Sequence, residues 1–389
     1  MDINELIISV RQMAPQLALS CCIVNGAIMD LDEVQNMGCQ EFGVRSKLNM
    51  PLKLYKYFPN VIKEENGREV NYSIQALKNN TVFMQAPCEF DDVYDSDISI
   101  DYREYERLRL IEYCNRCQIE INESFTTREI GDALVKAIAE ELNSTGDFCS
   151  VFKKKPDSEI EELSNESFLL KLTIEMNNKA DLGQAVAKTI YSDFTEYSSV
   201  LKNTFRTSCF TTTPYSQLVW GGAYADCHRG FCIEYTVLPD NKRYQDVYQN
   251  LYPMIYCKTR PDMTERIIKM QDTKITEEGL WDIYSHGALR KSIDWAFQNE
   301  WRLLLPMRCE NISDYNVEFF PMTKVFLGNR MSPEKRKEII EICNSKNIPY
   351  VGIMRNPNVF EMQECRIKCE DCIRYNEKMQ DIQAVNYTE

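Results

Sequence analysis

Residues 207–235 read TSCFTTTPYSQLVWGGAYADCHRGFCIEY, and the fold turns on this stretch. A strand, Phe205 to Thr211, ends in small hydroxyl side chains; a short aromatic-bearing helix follows; a glycine turn then leads into a second strand, Gly230 to Val237. Such a unit can hold an aromatic ring over a planar ligand while hydroxyls and backbone amides grip its edge. The plainer alternative is a packed core in which Trp220 and Tyr224 are satisfied aromatics.

Working outward, Leu52 to Phe58 reads as an earlier strand, Ser73 to Asn79 as a helical turn, and Thr81 to Met84 as a strand entering the acidic run Glu89 to Asp97. From Asp101 to Lys202 apolar residues recur at helical spacing, as in REYERLRLIEYCNRC and LGQAVAKTIYSDFTEY, which predicts a helical insertion over 101–202. Strand signals return at Met254 to Lys258 and Trp301 to Met307. Ser332 as N-cap and Pro333 at the first helical position start a helix between the strands Lys324 to Leu327 and Pro349 to Ile353. The expected fold is α+β, a mixed or antiparallel β core with a helical insertion. Residues 1–50 read as a leader, 51–360 as one α+β domain, and 361–389 as a C-terminal tail.

Composition narrows the chemistry. The net charge of −14 gives no global attraction to nucleic acid or anionic lipid. No apolar run approaches the roughly 20 residues a membrane span needs. The opening MDINELIISV lacks a secretory pattern, and the 16 cysteines are scattered, so a cytoplasmic, reducing setting is expected. Only His228 and His286 exist, which disfavours metallohydrolases and histidine-assisted nucleophiles. Cys114/Cys117 and Cys369/Cys372 could make a zinc site, with buried thiols as the default. No metal is expected.

Residues 291–302, KSIDWAFQNEWR, read as a helix running into a strand that begins at Glu300 or just before. Residues two apart then share a face, so Gln298 and Glu300 point the same way. A carboxylate so placed can stabilise an oxocarbenium ion while the amide orients an acceptor. Its plainer role is an ion pair with Arg302 or Lys291. Tyr55-Lys56-Tyr57 sets a cation between two aromatics on the first strand, suited to a phosphate or simply solvated. Asp91, Asp92, Asp95 and Asp97 could gather Mg²⁺ and, with Glu300, make a nuclease or phosphodiesterase. His228, beside Arg229 and Gly230, is expected as a contact residue rather than a base.

The order of these motifs, LYKY, EFDDVYD, the helical insert, 207–235, KSIDWAFQNEWRLL and KVFLG, resembles the bacterial family of the domain of unknown function 2971 over about residues 52–360. Trp220, Tyr224, Ala225, Gly230, Phe231, Glu234 and Tyr235 match its strongest motif, and Lys291, Trp295, Glu300, Trp301 and Arg302 its second. Where that family has asparagine-aspartate-proline this chain has Asp91-Asp92-Val93, and where it often has a glutamate this chain has Gln298.

The layout is also similar to ADP-ribosyltransferases, which implies that form of β core and NAD as substrate. By that resemblance Lys56, flanked by Tyr55 and Tyr57, would meet the pyrophosphate. Ser208 or Thr211, on either side of Phe210, would take the nicotinamide amide, and Tyr224 and Trp220 would stack on the ring, with His228 nearby. Glu300 would stabilise the ribosyl cation, and Gln298 would face the acceptor. The expected activity is NAD-dependent ADP-ribosyl transfer, a glycosyltransferase reaction, to a protein or nucleic acid, or NAD hydrolysis. A toxin or antiviral-defence role and a partner protein on the helical insert would suit it. The alternatives are the metal-dependent nuclease and a non-catalytic nucleotide-sensing module.

Overall fold

The computed structural model describes residues 19–365, apart from 66–67, 148, 179, 204, 272–275 and 307–314. In chain order its strands are β1 (Cys21–Val24), β2 (Ala27–Asp30), β3 (Lys53–Phe58), β4 (Lys63–Glu65), β5 (Arg68–Val70), β6 (Thr81–Phe83), β7 (Phe205–Thr211) and β8 (Phe231–Thr236). They continue as β9 (Leu251–Pro253), β10 (Ile255–Cys257), β11 (Arg290–Ser292), β12 (Glu300–Pro306), β13 (Asn316–Glu318), β14 (Met322–Leu327), β15 (Tyr350–Arg355) and β16 (Met362–Glu364). The expected strand starts and ends are met to within a few residues, and the α+β class with a mixed, largely antiparallel core is what forms.

Two compact units divide the chain: Met1–Tyr94 with Phe205–Lys258 and Leu289–Glu389, and Asp95–Thr204 with Thr259–Ala288. The first unit holds an eight-stranded sheet in the order β16-β15-β14-β8-β3-β7-β12-β9. Alternation along its strands assigns two different faces. Leu54, Phe58, Phe210, Phe231, Ile233, Trp301 and Leu303 point to one, where the helices Tyr72–Asn79 and Pro333–Ser345 add Ile74, Leu77 and Ile339 to the core. Tyr55, Tyr57, Cys232 and Phe326 point to the other, against Val219, Trp220 and Ala225. Burial on both faces explains why β8 carries no solvent-facing alternation. The helix between β14 and β15 starts as expected, the Ser332 side chain capping the Lys335 amide and Pro333 in the first turn.

A four-stranded sheet, β11-β10-β1-β2, belongs to the same unit and corrects the expected leader. Asn25 and Gly26, at φ +45° and +76°, make a two-residue hairpin that pairs Val24 with Ala27, and β1 then pairs with β10. The dipeptide Asn-Gly between two short apolar runs is the signal for such a turn, because both positions need positive φ. Residues 19–50 therefore fold as a hairpin and two helices, Leu31–Asn36 and Cys39–Lys47; residues 1–18 and the tail beyond 365 lie outside the described residues.

The second unit carries the expected helical insertion as Tyr102–Arg116, Thr127–Thr145, Glu159–Asn177 and Leu182–Asn203, and adds Thr264–Gln271 and Glu277–Ile283 from later in the chain. Thr126 and Glu129 close a capping box at the second helix. Its core is Tyr105, Tyr113, Ile130, Leu134, Phe168 and Leu172. Cys114 and Cys117 are buried there, and burial pushes their thiols up to about 11 and about 12. Cys369 and Cys372 fall outside the described residues. Among the described residues, no helix is long and apolar enough to cross a membrane.

Candidate active site

Glu300 opens β12, as its sequence position implies, and one residue before it Asn299 adopts φ +43° to turn the chain out of the 3-10 helix Ile293–Gln298. Asparagine tolerates that left-handed conformation better than most side chains. The Glu300 backbone is held at both groups: its N–H donates to the Tyr256 hydroxyl at 2.8 Å, and its carbonyl accepts from the Met254 N–H at 2.9 Å. Four strands then align a single row across the sheet, Glu234 opposite Tyr55, Tyr55 opposite Thr211, and Thr211 opposite Glu300.

The Glu300 carboxylate is 5% exposed and fully engaged. Arg302 Nε donates to Oε1 at 2.6 Å and Lys291 Nζ to Oε2 at 3.0 Å. Lys291 comes from β11, whose parallel register sets it opposite Tyr256, so it belongs to a strand rather than to the expected helix. Its ammonium also donates to Gln298 Oε1 at 2.9 Å and stands 5.2 Å from the Trp295 ring centre. Gln298 Nε2 in turn donates to the Tyr224 hydroxyl at 3.2 Å. Tyr224, Gln298, Lys291, Glu300 and Arg302 are thus one continuous polar chain, buried at the glutamate and 48% exposed at the tyrosine. Two cations meet one carboxylate in it. Ion pairs this deeply buried differ from surface pairs, because removing one member strands an uncompensated charge.

The other expected residues separate into those near this chain and those elsewhere. Thr211 shares the face of Glu300, but its hydroxyl donates to the Gln298 carbonyl at 2.6 Å and so secures the turn. Ser208 and Phe210 point to the opposite, apolar face, opposite Leu303 and Trp301, which corrects their expected ligand role. Trp220 is 0% exposed, its indole N–H donates to the Pro214 carbonyl at 2.6 Å, and its ring packs edge-on to Tyr57 at 5.0 Å; it is a core residue and cannot stack on a ligand. Tyr57 donates to the Thr213 carbonyl at 3.2 Å and Tyr55 to Glu234 at 3.1 Å, so both phenols are engaged inside the protein.

Lys56 lies where the sheet opens. β3 pairs with β7 at Tyr55 and Thr211 alone, while it pairs with β8 over six positions. The Lys56 ammonium donates to the Cys209 carbonyl at 3.2 Å across that gap, 5.3 Å from the Phe210 ring centre. Burial lowers its pKa, against the opposing pull of Cys209 and Glu300. It closes a sheet here rather than reaching for a phosphate.

His228 is half-buried at φ +70°, third in a run of positive φ with Asp226 and Cys227. Burial, then the Arg330 charge, lowers its pKa. The run packs so tightly that a Cβ on Gly230 would lie 2.1 Å from the Phe58 carbonyl oxygen, and one on Gly328 2.2 Å from that of His228. The acidic alternative loses its ligand set: among the described residues no group of three or more His, Cys, Asp or Glu side chains could hold a metal ion, and Asp91 and Asp92 do not join Glu300. Lys291, Arg302 and Tyr256 are the site residues that sequence reasoning misses. Lys291 and Arg302 are visible there as ion-pair partners for Glu300 and as positions of the second family motif, without a role of their own.

Residues 220–303 match the family described as "Protein of unknown function (DUF2971)". The matched span begins at Trp220 and takes in Tyr224, Tyr256, Lys291, Gln298, Glu300 and Arg302, so the whole polar chain lies within it. No curated protein and no solved structure matches the chain.

Proposed function

We propose that the chain consumes NAD, breaking the bond between nicotinamide and ribose and passing ADP-ribose to a macromolecule or to water. The observation that supports this reading is the bridge Lys291 makes between Gln298 and Glu300, with Tyr224 joined to the same Gln298. In the reaction the glycosidic electron pair leaves with the pyridine nitrogen, C1′ becomes cationic, and an acceptor nucleophile adds there as it loses a proton. A carboxylate paired with two cations stays ionised, and a fixed anion beside C1′ stabilises that charge. The half-exposed ring of Tyr224 offers its face to the nicotinamide. Gln298, two positions before Glu300, stands towards the acceptor. The arrangement of β3, β7 and β12 as sheet neighbours, with an aromatic turn after β7 and the glutamate opening β12, adds the likeness to ADP-ribosyltransferases.

A second reading has its own observation. Both oxygens of Glu300 are already occupied, by Arg302 and Lys291, which favours a module that binds a nucleotide without turning it over. Incubation with NAD and chromatography of released nicotinamide separates the two. Catalysis predicts release that Glu300→Gln lowers by about 100-fold or more, with folding checked by circular dichroism. An inert wild type whose melting point rises with NAD supports the binding module instead. A wild type that neither releases nicotinamide nor is stabilised rejects both.

A further inference from the structure

We infer that the Tyr224 hydroxyl acts towards the occupant of this site as a hydrogen-bond donor, that the group it recognises is an acceptor oxygen, and that Lys291 sets this polarity through Gln298. A lysine ammonium has no lone pair and can only donate, so the Gln298 atom 2.9 Å from it is the carbonyl oxygen. The pairing of the same ammonium with Glu300 keeps it charged. With Oε1 fixed there, the amide cannot flip, and its NH₂ must face Tyr224, as the 3.2 Å contact has it. An NH₂ group has no acceptor capacity, so the phenol oxygen accepts and its own proton is left for another partner.

Among the described residues Gln298 is the hydrogen-bond partner of that hydroxyl, and the Tyr224 side chain is half exposed. The proton therefore awaits water or a ligand. Burial raises the phenol pKa, which keeps the proton in place at neutral pH. The matching ligand group is an acceptor oxygen, such as a carbonyl or phosphate oxygen. The polarity stands on the hydrogen bonds alone; the choice of NAD as ligand rests on the proposed function.

Two measurements separate these. In the ligand-free protein, the Raman tyrosine doublet of Tyr224, isolated as wild type minus Tyr224→Phe, is expected to report a hydroxyl that accepts from Gln298 and donates to water. In the Gln298→Glu background, where a carboxylate faces the phenol and Lys291 keeps an anionic partner, the same difference spectrum is expected to report a donor. A hydroxyl that donates without accepting in both backgrounds overturns the polarity, whatever the ligand.

Binding of NAD by calorimetry gives the second arm. Tyr224→Phe is expected to weaken binding about tenfold in the wild-type background, the loss of one hydrogen bond, and less than about twofold in the Gln298→Glu background, where the proton points inward. An equal loss in both backgrounds overturns the inference. Repeating the cycle with ADP-ribose, which lacks the carboxamide, names the acceptor: a loss confined to NAD means the nicotinamide carbonyl, and a loss in both means a phosphate oxygen. A wild type that binds neither nucleotide rejects the NAD reading, while the spectra still decide the polarity.

Discussion

Lys291 and Glu300 form a buried ion pair, Nζ 3.0 Å from Oε2, in which the lysine side chain is 4% exposed and the carboxylate 5%. The lysine stands in a parallel strand of the small sheet and the glutamate at the start of a strand of the large one, so the pair ties the two sheets of one unit together at the candidate site. Arg302, fully buried and two residues along the same strand, completes it at 2.6 Å.

Removing the charge of Glu300 leaves both cations buried without their carboxylate. We expect Glu300→Gln to destabilise the protein by about 3–5 kcal/mol, the range for breaking a buried pair from one side. Urea titration of both proteins measures this; a change under about 1 kcal/mol would show the cations to be far better solvated than their burial indicates.

Gly230→Ala introduces a methyl group where the Phe58 carbonyl oxygen is 2.1 Å away, too close for any side-chain motion to relieve. Backbone must shift between β3 and β8, at a cost of about 1–3 kcal/mol or more. Gly26→Ala, with nothing within 4 Å of the added carbon, has only its positive φ against it and serves as the contrast. Denaturation midpoints that fall equally for the two variants would contradict this packing.

Acid should weaken the other end of the Glu234 to Glu300 row. Burial alone would raise the Glu234 carboxyl, but hydrogen bonds from Lys53, Thr323 and Tyr55 outweigh it and hold the value below the usual glutamate range. A carboxyl lowered on folding contributes stability above its unfolded value, and that contribution disappears as pH falls through the folded one. Thr323→Val removes the 2.8 Å hydrogen bond and narrows the gap. Urea midpoints followed from neutral pH down through the glutamate range should fall less in the variant; parallel curves would remove Glu234 as the cause.

Thiol labelling tests the placement of the cysteines. With Cys114 and Cys117 buried and their thiols raised to about 11 and about 12, iodoacetamide at neutral pH should modify exposed Cys39 and Cys227 first and leave the helical pair until the protein unfolds. Mass spectrometry of digests reads the order. Rapid labelling of Cys117 in the folded protein would place it elsewhere.

Much of the fold is legible in the sequence because local patterning and global structure agree. The strands β3, β7 and β8, the helical spacing over 101–202 and the Ser332-Pro333 helix start all form where their residues imply. The hairpin at Asn25-Gly26 carries an equally readable turn signal, but its two strands are only four residues each, too short for their alternation to stand out from a leader. The small strand β11 has no such signal: Arg290-Lys291-Ser292 is polar, and only pairing with β10 makes it a strand.

By itself the sequence determined that a carboxylate opens a strand and that aromatic and hydroxyl residues crowd one turn, because these are properties of neighbours along a chain; Gln298 meets Glu300 through the left-handed turn at Asn299 and the shared Lys291 instead of through strand alternation. Tertiary structure alone decided that Tyr224 is half exposed while Trp220, four residues earlier, is sealed, and that Ser208 and Phe210 face away from Glu300. It also brought Tyr224 to Gln298, 74 positions apart. The physical reason is that alternation tells which residues lie together on a strand, whereas what each face meets is set by strands and turns that only folding brings alongside.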